Sequence, residues 1–261
     1  MRRLLPTRGD IEFPSLVPYH RGRMVSRPLR AVFFDAGNTL IRMNYPVIAA
    51  QLVAQGVSVT ARDLERAEWR ARVRLDEALG RSALVSTETP ATADRYLELI
   101  LEELGVRAAA VVAAMGAWRA RYNPPVGLWD VAEPGAETAL RLVREARLGA
   151  GVISNSNGSV RSILDTLGLT ALLDFVLDST EVGVEKPDPR IFRLALERAG
   201  CGPHEAVYVG DLYSVDVLGA RAVGLEGILL DPGGCWGTRD CPTAPDVASA
   251  VRRALAIPRA R

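Results

Sequence analysis

The chain predicts an α/β fold: a parallel sheet with helices on both faces, interrupted after its first strand by an inserted helical module. Three observations carry this. Short apolar runs alternate with stretches of helical character, which is the pattern of a doubly covered parallel sheet. Five such runs each close on a polar residue, and the carboxyl ends of strands are where open α/β sheets bind ligands. Residues 36–148 separate the first run from the second, far more chain than one crossover uses.

Taken in order, residues 1–28 read as a disordered leader: seven of the first 30 residues are Arg, and no apolar core of a secretory signal is present. The protein is therefore expected in the cytoplasm. The first strand is Arg30-Ala-Val-Phe-Phe-Asp35. A helical module follows over 43–125, flanked by core segments 29–42 and 126–261. Within it, Thr60-Ala-Arg-Asp63 has the form of a capping box before a long helix through Gly80. That helix carries the core stripe Leu64, Ala67, Ala71, Leu75 and Leu79. Thr89-Pro90 starts another helix with a cap and a proline at its first position. Asn123-Pro124-Pro125-Val126-Gly127 is the hinge back to the core. A helix from Pro134 delivers the chain to the strand 149–154, and further strands are expected at 174–178, 206–211 and 226–231. Asp188-Pro189 opens a helix running to Gly200, Tyr213 to Val223 forms another, 232–242 is a loop, and a helix over 245–256 closes the fold.

Composition narrows the function classes. With 48% apolar residues the chain can bury one large core, alone or with an insertion. Its net charge of +1 gives no overall electrostatic case for a nucleic acid or an anionic membrane, so the expected partner is a small molecule. No apolar run approaches the roughly 18 residues of a membrane span. Three cysteines without a C-x-x-C pair, and two histidines, argue against a disulfide scaffold or structural zinc. Oligomeric state leaves no mark in the composition.

The charged residues are more specific. Of 32 basic residues, Lys186 alone is lysine. Either codon bias removed the rest, or this site needs a compact ammonium that a planar guanidinium cannot replace. Asp35 ends a buried strand and is followed by Ala-Gly-Asn-Thr39, which sets an oxygen nucleophile at the sheet's edge, although strand ends also finish in Asp for turns. Ser154-Asn155-Ser156-Asn157-Gly158 brings a hydroxyl and backbone N–H groups to a helix N-terminus, suited to a phosphate oxygen or simply to capping. Asp211 and Asp216 can converge on a hard cation such as magnesium.

In sequence order, Asp35-x-x-x-Thr39, Ser154, Lys186-Pro187 and Gly210-Asp211-x-x-x-x-Asp216 resemble the four motifs of the haloacid dehalogenase-like hydrolase superfamily, over residues 30 to about 256. The resemblance implies a Rossmann-like three-layer core, a helical cap inserted after the first motif, and a magnesium-dependent phosphohydrolase acting on a small phosphorylated metabolite. It makes Asp35 the nucleophile that becomes an aspartyl-phosphate and Lys186 the cation neutralising it. Ser154 would hold a phosphoryl oxygen, with Thr39 and Asn155 also at the phosphate. Asp35, Asp211, Asp216 and the Gly37 carbonyl would hold Mg2+, Asp216 directly or through water.

One position departs from the pattern. Phosphatases of the superfamily carry a second aspartate two residues after the nucleophile as general acid and base, and here Gly37 stands there. The expectation is a slow or selective enzyme favouring activated leaving groups, or one that borrows an acid from Asp76, Glu77, Glu88 or Asp94, although each of these reads as a solvated helix residue. Two alternatives stay open: a metal-free 2-haloacid dehalogenase, and a non-catalytic relative that binds a ligand or protein. A phosphonatase would need a lysine in the cap, and there is none. Trp129-Asp130 and Asn44-Tyr45 fall where module meets core and could line a substrate pocket, packing of the linker being the blander account of Trp129. Arg42 is a possible contact for an anionic substrate, and His204 reads as surface.

Overall fold

The structure, a computed structural model, describes residues 28–81 and 86–256, so the expected leader, but for Pro28, lies outside the described residues. The chain begins with β1 (Ala31–Phe34) and β2 (Ile41–Arg42), then passes through α1 (Tyr45–Ala54), α2 (Ala61–Gly80), α3 (Pro90–Glu103) and α4 (Ala109–Arg119). It returns by β3 (Val131–Ala132), α5 (Ala136–Glu145), β4 (Gly149–Ser154), α6 (Val160–Thr166), β5 (Phe175–Asp178), α7 (Ser179–Val182) and α8 (Pro189–Ala199). The last elements are β6 (Ala206–Gly210), a π turn (Tyr213–Val217), α9 (Leu218–Arg221), β7 (Glu226–Leu230), β8 (Thr243–Ala244) and α10 (Val247–Ala256).

Six strands form one parallel sheet in the order β5-β4-β1-β6-β7-β8. β1 is central, so its four residues are all buried and all apolar, as a strand covered on both faces requires. Alternation divides it: Val32 and Phe34 pack with α5, α6 and α10 on one face, and Ala31 and Phe33 with α8 and α9 on the other. This is the expected three-layer α/β fold. Phe34 lies opposite Val152 of β4 and Val209 of β6. Asp35 therefore leaves the sheet between the ends of the two neighbouring strands, where strand order reverses and open sheets have their crevice.

Helices α1–α4 build an apolar cluster of their own, containing Leu52, Leu64, Ala67, Ala71, Leu75, Ile100 and Met115. The α2 capping box forms as expected, Thr60 Oγ1 accepting from Asp63 N at 3.2 Å. Two features escaped the sequence. β2 and β3 pair as a two-residue antiparallel ribbon at the root of the module, too short to show periodicity. β8 extends the sheet just after the expected loop, with Trp236 of that loop buried against Val217 and Leu229.

The expected helix over 213–223 opens instead as the π turn, and here the module touches the core. Asp76 of α2 is buried, and its Oδ1 accepts from Ser214 N at 2.8 Å and Ser214 Oγ at 2.7 Å. Burial pushes its carboxyl up to about 6 against those two hydrogen bonds, so Asp76 is not the solvated residue its sequence position suggested. Asp76→Ala leaves the Ser214 N–H without its acceptor and is expected to destabilise the fold by about 1–3 kcal/mol. An unchanged urea midpoint would show that this contact contributes nothing.

Candidate active site

Lys186 lies between α7 and α8 with its ammonium buried under the end of β1. Nζ donates to Asp35 Oδ1 at 2.6 Å, Asp216 Oδ1 at 2.7 Å and Tyr208 OH at 2.9 Å. An ammonium has three donors, and all three are used. A guanidinium's planar fork does not match acceptors gathered round one point, which gives the solitary lysine its physical reason. Burial works against the charge, but Asp216 and Asp35 outweigh it and hold Lys186 well above its usual range. Burial pushes Asp35 up to about 6, with Lys186 opposing and Asp216 adding to the rise. Tyr208 was not anticipated: it reads as one more apolar position of a buried strand, and only the packing turns its hydroxyl toward Lys186 and Asp216.

Asp216 is held on both oxygens. Oδ1 receives Lys186 and lies 3.1 Å from Tyr208 OH; Oδ2 accepts from Asp211 N at 3.0 Å and Leu212 N at 2.9 Å. Three N–H donors already occupy it, and the single Tyr208 proton has both Asp216 Oδ1 and Ile153 O at 3.1 Å, so Asp216 keeps little free capacity for a metal. The turn closes so tightly that a Cβ on Gly210 would stand 2.4 Å from Asp216 Cγ. Glycine is required there by close approach.

Ser154 ends β4 at the cavity wall, its Oγ donating to Asn155 O at 3.1 Å. Two residues expected at the phosphate have other surroundings. Asn155 also reaches the cavity wall, but its amide is committed to Lys186: Oδ1 accepts from Lys186 N at 2.7 Å, while Nδ2 donates to Lys186 O at 2.9 Å and Thr87 Oγ1 at 2.9 Å. Its side chain thus positions the lysine loop. Thr39 is fully buried, its Oγ1 has no partner, and it does not line the cavity.

From the helical module comes a second polar group the sequence did not assign to the site. Arg72 grips Glu68 through Nε at 2.8 Å and NH2 at 2.6 Å, and its NH1 lies 3.5 Å from Asp211 Oδ2. Tyr45 OH donates to Glu68 Oε2 at 3.0 Å, Tyr96 OH donates to Glu68 Oε1, and Asn38 Nδ2 donates to Asp211 Oδ2 at 3.1 Å. A signal was present: Glu68 and Arg72 sit one turn apart beside the apolar stripe of α2, where a solvated pair would not stand. Arg42, by contrast, is paired with Glu65 at 2.9 Å and does not line the cavity.

Oxygens of Asp35, Asp211 and Asp216 lie within 4.8 Å of one another. With Glu68, four buried carboxylates face two buried cations, Lys186 and Arg72. Burial pushes Asp211 well above its ordinary value; Arg72 opposes this, and Asp35 and Asp216 add to it. Such an excess of buried negative charge suits a hard divalent cation, so these residues fit magnesium.

Above Asp35 and Lys186 opens a cavity of about 510 Å³ shared by core and module. Gly37 and Trp129 both line it, so the linker tryptophan does more than pack. Of the four module carboxylates, Asp94 is bound to Arg119, Glu77 is at the surface beside Arg81, Asp76 holds Ser214, and only Glu88 faces the cavity. Glu88 lies at the solvent-exposed edge of the cavity. Partial desolvation against the cavity wall, then Asp35 and Glu185, push its carboxyl up to about 7, with Lys186 and Thr87 opposing. As pH rises through 7, Glu88 gains a negative charge facing Asp35 and Lys186. Competitive inhibition by inorganic phosphate is expected to weaken several-fold between pH 6 and 8 beyond what phosphate ionisation explains, and Glu88→Gln to remove that excess; an identical profile in the variant would refute it.

The family model that matches this chain is the haloacid dehalogenase-like hydrolase, over residues 29–224. Haloacid dehalogenase-like hydrolase domain-containing protein 3 of Bos taurus is 34% identical over 208 residues, 77% of this chain and 82% of its own length. The glyceraldehyde 3-phosphate phosphatase of Methanothermobacter thermautotrophicus is 31% identical over 204 residues, 78% of this chain and 86% of its own. Among solved structures, a HAD-hydrolase of Bacillus subtilis crystallised with magnesium shares the fold with a TM-score of 0.60 at 16% identity, covering 88% of this chain and 100% of its own. Together with the sheet order and the convergence of Asp35, Lys186, Asp211 and Asp216, the match over 29–224 establishes that this chain belongs to the haloacid dehalogenase-like hydrolase family.

Proposed function

We propose that the protein is a magnesium-dependent phosphohydrolase that passes the phosphoryl group of a small phosphorylated metabolite through an aspartyl-phosphate on Asp35. The observation that carries this is Lys186 Nζ bonded at once to Asp35 at 2.6 Å and Asp216 at 2.7 Å beneath the cavity. Relatives sharing the family's sequence include a phosphoserine phosphatase and a ribulose-1,5-bisphosphate 5-phosphatase, which supports phosphoryl chemistry here. Residues 43–125 act as the cap that selects the substrate.

In this reading an Asp35 oxygen attacks phosphorus while Lys186 holds the carboxylate in place and offsets charge on the transferring group. Ser154 steadies one phosphoryl oxygen. Magnesium, when bound, would be held by Asp35, Asp211 and the Gly37 carbonyl with Asp216 in support, and would supply further neutralisation of the phosphoryl charge. No acid stands at position 37, and of the four module carboxylates only Glu88 reaches the cavity.

The test is phosphate release across a panel of phosphorylated metabolites with and without Mg2+, beside chloride release from 2-chloropropionate without metal. Phosphate release that requires Mg2+, with a phosphorylated Asp35 peptide trapped by acid quench and found by mass spectrometry, is the expected result. Chloride release alone would make the protein a dehalogenase, and silence in both assays a binding protein.

A further inference from the structure

We propose that the cavity takes phosphate monoesters of apolar, aromatic alcohols, and that the Trp129 indole N–H hydrogen-bonds the bridging oxygen in the place where an acid at position 37 would act. This rests on the phosphohydrolase reading above and names its substrate class.

Three observations converge on it. First, a Cβ on Gly37 would meet Trp129 Nε1 at 3.5 Å and Cδ1 at 3.7 Å. The indole edge thus borders the space an acidic side chain would enter, and Nε1 has no hydrogen-bond acceptor among the described residues. An indole N–H donates but cannot transfer its proton at neutral pH, so it stabilises a departing anion without protonating it. Second, the outer walls are apolar: Trp129 and Tyr96 stack at 6.2 Å between centroids, and Leu75, Val160, Ile163 and Val215 join them. Third, cationic recognition is scarce. Lys186 and Arg119 are the only cationic side chains among the described lining residues, and Arg119 is bound to Asp94 through Nε and NH2. Thr92 Oγ1 donates to Ser86 O at 2.6 Å and Asn157 Nδ2 to Pro125 O at 3.0 Å. A second phosphate finds no uncommitted cation among these residues; an aromatic ring finds a surface.

Leaving-group chemistry agrees. A phenol such as tyrosine's ionises near 10, against about 15.7 for water, so an aryl oxygen carries away negative charge that an alkyl oxygen cannot without an acid. An Asp35 oxygen forms a bond to phosphorus as the phosphorus–aryl oxygen bond breaks, its electron pair leaving on the aryloxide, which Trp129 hydrogen-bonds until water protonates it. A water molecule then attacks phosphorus, the Asp35–phosphorus bond breaks, and phosphate, a proton and the free carboxylate are released.

The experiment uses the full chain with Mg2+ and measures kcat/KM for a series of ring-substituted phenyl phosphates, 1-naphthyl phosphate, glycerol 3-phosphate, glucose 6-phosphate and acetyl phosphate. Phenyl and naphthyl phosphates are expected to exceed the two alkyl esters by about 100-fold or more, the scale of the acid help that is missing. Trp129→Phe is expected to slow phenyl phosphate by about ten- to hundredfold and to steepen the dependence of log kcat/KM on leaving-group pKa. That slope is a ratio within one preparation, so partial misfolding does not alter it. Alkyl esters turned over as well as aryl esters overturn the substrate class while leaving the phosphohydrolase standing, and an unchanged slope in Trp129→Phe overturns the role of the indole. No phosphate from any ester, acetyl phosphate included, overturns the phosphohydrolase reading itself.

Discussion

Lys186→Met is expected to reduce phosphate release by about 10³-fold or more and to destabilise the fold by about 3–5 kcal/mol. Both effects come from one geometry. The ammonium sits between Asp35 and Asp216, all three side chains being at least largely buried, and its removal leaves two carboxylates with no counter-charge in a low-dielectric site. A cation placed on a transferring phosphoryl group is worth about 10³ to 10⁵ in rate where such groups have been removed from other phosphoryl-transfer enzymes. Lys186→Arg is expected not to restore activity, since the longer, planar head cannot reach Asp35, Asp216 and Tyr208 together. Steady-state kinetics and urea denaturation check the two effects separately. A methionine variant within tenfold of the parent would remove Lys186 from the chemistry, whatever its stability.

Gly37→Asp is expected to change activity in the opposite direction, raising phosphate release from alkyl esters by about 10² to 10⁴, the usual worth of general acid–base help. The backbone allows it, as Gly37 is absent from the positive-φ residues and its Cβ would meet only the Trp129 indole at ordinary contact distance. Because the new carboxyl must share space with that indole, the gain should lie toward 10², and Gly37→Asp with Trp129→Phe should exceed Gly37→Asp alone on the same alkyl esters. Aryl esters, whose leaving oxygen needs no proton, should gain least. Unchanged turnover of alkyl esters in both variants would show that the acid is not what this site lacks.

Much of the molecule was legible before any coordinates. The five principal strands, the capping box at Thr60 and the start of α8 at Asp188-Pro189 are local signals: alternating burial, a side chain that reaches its own helix N-terminus, a ring that presets φ. Elements without a local signal were missed. The β2–β3 ribbon and β8 are two residues long each, and two residues have no period to read. The π turn at Tyr213–Val217 arises where Asp216 draws in two backbone N–H groups, a demand made by folded neighbours.

For the site, the sequence by itself determined the list of charged parts and their order, because Asp35, Ser154, Lys186, Asp211 and Asp216 each follow a buried strand or open a turn. It also determined what was missing, since a glycine at 37 has no side chain to protonate anything. Only the tertiary structure decided how the parts divide their work. Asn155 turned to Lys186, Thr39 was left out of the cavity lining, Tyr208 joined the lysine from inside a strand, and Glu68 and Arg72 entered from a helix of the inserted module. The reason is the range of the forces involved. Backbone periodicity and capping act within a few residues and are written in the chain, whereas the direction in which a buried polar atom satisfies itself depends on which partner the completed packing places within about 3 Å.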